Sequence, residues 1–120
     1  MKKLFTLIIT IAFATISFAQ TANVEGNKDS LEKKLADNYV EFLMPKDTKT
    51  EEVEKSAQYY TEYFTVEFDE VSKKAKIKLI DMDPMARRVI TRFLLSAGVR
   101  TINFDNQDYT IMEFYSNFLE

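Results

Sequence analysis

Phe64-Thr65-Val66-Glu67-Phe68-Asp69 and Lys74-Ala75-Lys76-Ile77-Lys78-Leu79 decide the fold. Each stretch alternates apolar and polar side chains with a period of two, the mark of a strand with one buried and one wet face. The polar segment from Glu70 to Lys73 turns the chain between them. The two form a β-hairpin, with acids of the first strand facing lysines of the second. Each such cross-strand pair contributes about 0.2–1 kcal/mol.

The flanking elements extend this unit. Upstream, Val40, Phe42 and Met44 alternate with Tyr39, Glu41 and Leu43 in a strand that ends at Pro45. Thr48-Lys49-Thr50-Glu51 has the spacing of a capping box, and Val53, Ala57 and Tyr60 follow at helical intervals. Downstream, Asp83-Pro84 starts a helix with an Asp N-cap and Pro at its first position. Its buried stripe is Ala86, Val89, Ile90, Phe93, Leu94 and Ala97, and Gly98 is placed to end it in a left-handed cap. Thr101 to Asp105 reads as a strand with Ile102 and Phe104 inward. The order strand, helix, strand, strand, helix, strand predicts an α+β fold, the ferredoxin-like βαββαβ sandwich. Its sheet is antiparallel and both helices lie on one face. After a turn near Asn106-Gln107-Asp108, the capping box Thr110-Ile111-Met112-Glu113 opens an extra C-terminal helix that runs to Leu119.

Residues 39–105 resemble a heavy-metal-associated domain, a small metal-chaperone module. The family runs from its first strand into a Pro-Gly-Met-Thr-Cys-x-x-Cys-Val-like loop, and Met44-Pro45-Lys46-Asp47-Thr48-Lys49-Thr50-Glu51-Glu52-Val53 fits that loop without a gap. Gly98 falls where the family's second helix ends in Gly. Lys49 and Glu52 stand where the family has its two metal-binding cysteines. A protonated Lys cannot ligate and a carboxylate is a hard donor, so the resemblance implies the fold without the soft-metal site. Met44, Met82, Met85 and Met112 do not converge in this topology and are expected to pack in the core.

The first nineteen residues set the compartment. Lys2 and Lys3 precede an apolar run from Leu4 to Phe18, and Ser17-Phe18-Ala19 supplies a signal-peptidase site before Gln20. We expect a signal peptide at residues 1–19, export to the periplasm or beyond the cell, and no membrane span after cleavage. Residues 20–38 read as a disordered leader with a short helix from Ser30 to Asn38, marked by Leu31 and Leu35. The domain follows at 39–105 and the helical extension at 106–120. The chain's net charge of −3 falls to −5 once Lys2 and Lys3 are removed, which disfavours nucleic acid as a partner. There is no Cys and no His, so the usual nucleophiles, neutral-pH bases and soft-metal ligands are missing. The expectation is a non-catalytic chain without a cofactor.

Two surfaces are candidates for contact with an envelope protein or a second copy. One is the loop carrying Asp47, Thr48, Lys49 and Glu52, which the topology places at the same pole as Arg100. A Glu52–Arg100 ion pair is the expected structural role there, and partner docking the other. The second is the tail, with Phe114, Tyr115 and Phe118. Folding it over the open face of the sheet, where Tyr39, Leu43 and Ile80 point, would bury both; left uncovered, it is an aromatic patch. Arg87, Arg88 and Arg92 are expected to solvate the outer face of their helix. The expected function is an exported binding or adaptor module. The alternative is metal handling by oxygen donors Asp47, Glu51 and Glu52 with Met44.

Overall fold

A computed structural model of the protein describes residues 20–81 and 83–120, so the expected signal peptide and Met82 lie outside the described residues. The strands are β1 (Thr21–Val24), β2 (Tyr39–Leu43), β3 (Phe64–Asp69), β4 (Lys74–Leu79), β5 (Thr101–Phe104) and β6 (Gln107–Thr110). The helices are α1 (Lys28–Ala36), α2 (Thr50–Ala57), α3 (Pro84–Ser96) and α4 (Ile111–Phe114). A 3₁₀ turn, Gln58–Tyr60, prolongs α2, and a π-helical turn, Tyr115–Leu119, prolongs α4. The result is an α+β fold on one mixed six-stranded sheet in the order β3-β4-β2-β1-β5-β6.

The four strands expected from the sequence are all present, and two more join them. β1 lies in the stretch read as a disordered leader, yet it stands inside the sheet, between β2 and β5. It runs parallel to β5 through four paired positions, from Thr21–Thr101 to Val24–Phe104, and meets β2 antiparallel at Asn23–Leu43. Ala22 is fully buried there and Val24 nearly so. β6 pairs antiparallel with β5 across a two-residue turn, Asp105-Asn106, in which both residues have positive φ (50° and 62°). That is the backbone of a type I′ hairpin, which Asp and Asn tolerate better than other non-glycine residues.

The β3–β4 hairpin forms as read, in register from Phe64–Leu79 to Asp69–Lys74, and β4 pairs with β2 from Tyr39–Lys78 to Leu43–Lys74. Strand alternation sends Val40, Phe42, Phe64, Ala75, Ile77, Ile102 and Phe104 to one side, all buried. The α3 stripe covers them, with Phe93 packed edge-on against Phe64 at 5.9 Å between centroids. Val53 of α2 joins the same core. α3 ends as Gly98 dictates: at φ 95° it lets its own N–H bond Leu95 O (3.1 Å) and the Val99 N–H bond Leu94 O (2.9 Å), a Schellman closure.

α1 begins earlier than the sequence reading placed it. Asn27 is the N-cap, its side chain accepting from the Ser30 N–H while the Ser30 hydroxyl accepts from the Asn27 N–H. Leu31 and Leu35 are buried, so this helix packs rather than dangles.

The tail also departs from expectation. The Thr110–Glu113 capping box forms in both directions (2.9 and 3.2 Å). The helix it opens does not cross to the open face of the sheet. It stays on the helical side, where Phe114 is fully buried among Phe42, Phe104, Tyr109 and Phe118 at centroid distances of 5.1 to 6.3 Å. Large rings on the inner side of β2, β5 and β6 offer more apolar area than the charged outer side, and burial follows that area.

Candidate functional site

The first expected site lies at the pole where β2 ends. Lys73, at φ 63° in the hairpin turn, brings that turn to the loop: its carbonyl accepts from the Met44 N–H (2.7 Å) and its ammonium donates to Thr48 O (2.8 Å). The Thr48 N–H bonds Pro45 O (2.9 Å), and Thr48 is buried. The expected capping box at Thr48 does not form. Lys49 is the N-cap instead, with no side-chain cap bond, and α2 relies on Glu51 and Glu52 in its first turn. Asp47, Lys49 and Glu52 are exposed.

Glu52 and Arg100 do not meet. Arg100 Nη1 donates to Leu95 O (3.0 Å), a carbonyl of the last turn of α3, and to Val99 O (2.9 Å) just beyond it. The reason is topological. β1 separates β2 from β5, and each strand spacing is about 4.8 Å, so the loop and Arg100 sit one strand further apart than in a four-stranded sheet. Among the described residues no three Asp or Glu side chains are grouped as an ion would need, so Asp47, Glu51 and Glu52 are not brought together as oxygen donors.

The outer face of the sheet is a lattice of charges already matched within the chain. Lys78 pairs with Glu67 (2.9 Å), Lys74 with Glu25 (3.4 Å) and Glu41 (3.9 Å), and Lys34 with Glu41 (3.2 Å). Lys76 stands over the Tyr39 ring at 4.6 Å. The Lys78 hydrogen bond and charge hold the Glu67 carboxyl below its ordinary pKa. These pairs are exposed or half-buried and each contributes little stability, but they match Lys74, Lys76 and Lys78, the β4 lysines of this face, within the chain.

A third region is concave. α1, the start of α3 and the terminal segment enclose a cleft of about 420 Å³, and a smaller cleft of about 200 Å³ shares Arg87 and Glu120 with it. Lys28, Glu32, Leu35 and Ala36 of α1 line the larger one, opposite Arg87, Ser116, Asn117, Phe118 and Glu120. Tyr115 lines the smaller. Of the three expected tail residues, Tyr115 and Phe118 therefore reach a cleft wall half-buried, whereas Phe114 is wholly inside the core.

Arg87, expected with Arg88 and Arg92 to solvate the outer face of its helix, departs from that expectation. It is half-buried, while Arg88, Arg92 and Arg100 are exposed. Its Nη1 donates to Leu119 O (3.2 Å), fastening the terminal segment to α3. No carboxylate of the described residues lies within ion-pairing distance of it. The available signal was helical phase. Arg87 precedes Ile90, Thr91 and Leu94 by three, four and seven positions, which places it on the border of the buried stripe.

The terminal segment bends around this arginine. Glu120 N–H bonds Tyr115 O (2.9 Å), an i to i+5 bond that widens the turn, and the Asn117 side-chain amide donates to Glu113 O (2.8 Å). π turns of this kind are rare and occur often at functional sites. No family model matches the chain, and neither does any curated protein or solved structure. No described helix is long and apolar enough to cross a membrane.

Proposed function

We propose that this chain is an exported, non-catalytic binding module whose ligand site is the cleft between α1, the start of α3 and the terminal segment. The observation that carries the reading is Arg87. It is a half-buried guanidinium with one hydrogen bond to the chain, set in the wall of two adjoining clefts. Partial burial of a cation without a paired carboxylate has a desolvation cost, and a ligand that offers an acceptor offsets it. The absence of Cys and His from the whole sequence favours binding over catalysis. The run at residues 1–19 supports export to the cell envelope.

The core of this module is best read as ferredoxin-like. With β1 and β6 set aside, the remaining strands stand in the order β3-β4-β2-β5 with α2 and α3 as the two connecting helices, the split βαβ arrangement. Descent from a heavy-metal-associated domain rests on the residue 44–53 loop and Gly98. In this reading the old metal loop is a pinned structural corner, and binding has moved to the far side of the helical layer.

The test is a ¹⁵N–¹H NMR titration of the purified protein with a panel of small carboxylates, amines and sugars. Shifts confined to residues 28–36, 84–88 and 115–120 are the expected result. Shifts centred on residues 46–52 would return the site to the loop, and a panel without any shift would remove the reading.

A further inference from the structure

We infer that the ligand of this cleft is a small amphoteric molecule of the free-ended short-peptide class, its carboxylate held by Arg87 and Lys28 and its ammonium by Glu32 and Glu120. The inference rests on the preceding reading of the cleft as the site. Its basis is the charge of the walls: two cations and two carboxylates line one concavity, and no ion pair joins them to each other. On the outer face of the sheet the opposite holds, since Lys74, Lys76 and Lys78 of β4 are matched to acids or to a ring. A dianion such as phosphate would meet two like charges in this cleft, and a simple cation would meet Arg87 and Lys28. A ligand that carries both signs satisfies both walls.

The geometry of the donors agrees. A guanidinium has five N–H donors, and Arg87 has committed one of them to Leu119, leaving a planar pair for a carboxylate. Asn117 has committed its amide nitrogen to Glu113 O, so its side chain offers an acceptor, the group an ammonium or a peptide N–H requires. Leu35, Ala36 and Phe118 supply the apolar floor for a short side chain. The widened turn from Tyr115 to Glu120 is what sets Ser116, Asn117 and Phe118 along one wall.

Trialanine with free ends is the probe, compared with its N-acetyl form, its C-terminal amide and inorganic phosphate, by NMR titration of the purified protein. Trialanine should shift the resonances of residues 116–118 and the Arg87 side-chain Nε–H. Blocking either end should weaken binding at least about tenfold, or ~1.4 kcal/mol, and phosphate should leave these resonances unmoved. Arg87→Gln should abolish the response. Because that change also frees Leu119, Glu32→Gln on the exposed side of α1 is the second variant. It should weaken trialanine while leaving the N-acetyl form unchanged. Equal binding of the amide and the free acid, or phosphate shifting the same resonances, overturns the inference. If trialanine is silent but another small molecule of the panel shifts residues 116–118, the cleft stands and its ligand class falls. If every probe is silent, both fall.

Discussion

Gly26 and Gly98 both hold positive φ (88° and 95°), yet a methyl group added to each meets different surroundings. At Gly98 there is nothing within 4 Å, so Gly98→Ala costs only the left-handed backbone, about 1 kcal/mol. At Gly26 the new methyl runs into the Ser30 hydroxyl, which is part of the α1 capping box. Gly26→Ala should therefore lose the cap as well as strain the backbone, about 2 kcal/mol in all. Thermal melts of the two variants should rank them in that order, and the reverse order would mean that the α1 cap is not formed in solution. Glu113 offers a second test at this scale. Hydrogen bonds from the Thr110 backbone and side chain hold its carboxyl below the ordinary pKa. A depressed folded pKa gives stability that is fully present above the unfolded value and is lost as pH falls through the folded one. Glu113→Gln should flatten the acid limb of a stability-against-pH curve below the ordinary carboxylate range and leave its neutral limb parallel to wild type.

Among the elements, β1 is where sequence and structure part most clearly. β2, β3, β4 and α3 were legible because each is long enough to show its period and is bounded by a turn or cap: Pro45 after β2, the Glu70–Lys73 turn, Asp83-Pro84 and Gly98 around α3. β1 offers only Ala22 and Val24 as inward residues within four positions, and a small apolar pair in a polar stretch reads as leader. β6 has one inward aromatic, Tyr109, and its turn lacks the glycine that usually announces a type I′ hairpin. The cleft was less legible still, because its walls come from three segments far apart in the sequence, α1, the start of α3 and the chain's last residues, which meet only in the packed fold. β1 can be tested without touching the core. Asn23 is exposed, but its backbone pairs with both Leu43 and Asn103. Asn23→Pro should destabilise by of the order of 3 kcal/mol through lost ladder bonding and ring clash, with Asn23→Ala close to neutral. Equal denaturation midpoints for the two would make residues 21–24 the loose leader that the sequence suggested. Phe114→Ala probes the other misread element: with Phe42, Phe104, Tyr109 and Phe118 around it, the expected loss is about 3–5 kcal/mol.

The molecule as a whole is one-sided, with its helices packed against one face of the sheet and matched charges on the other. That asymmetry bears on self-association, because β3 is an edge strand of six residues rich in β-formers. Phe64, Val66 and Phe68 already face inward, so the polar set Thr65, Glu67 and Asp69 is what separates this edge from a sticky one. If two copies paired β3 to β3 about a two-fold axis normal to the sheet, the acids of one strand would lie beside those of the other on the same face. Like charges at that spacing disfavour the pair. The edge is thus guarded by charge, and Glu67 is the central guard. Its ion pair with Lys78 keeps it ionised to lower pH than an ordinary glutamate, so the guard outlasts mild acidification. Glu67→Val should remove it and create the run Phe-Thr-Val-Val-Phe, shifting the protein from one-chain mass to dimers and larger species in size-exclusion chromatography with light scattering. Wild type should follow the same course only when the pH falls below its lowered carboxylate pKa, and Glu67→Gln should behave at neutral pH as wild type does in acid. If Glu67→Val keeps the mass of a single chain at concentrations where the wild type does, charge at this edge is not what keeps the copies apart.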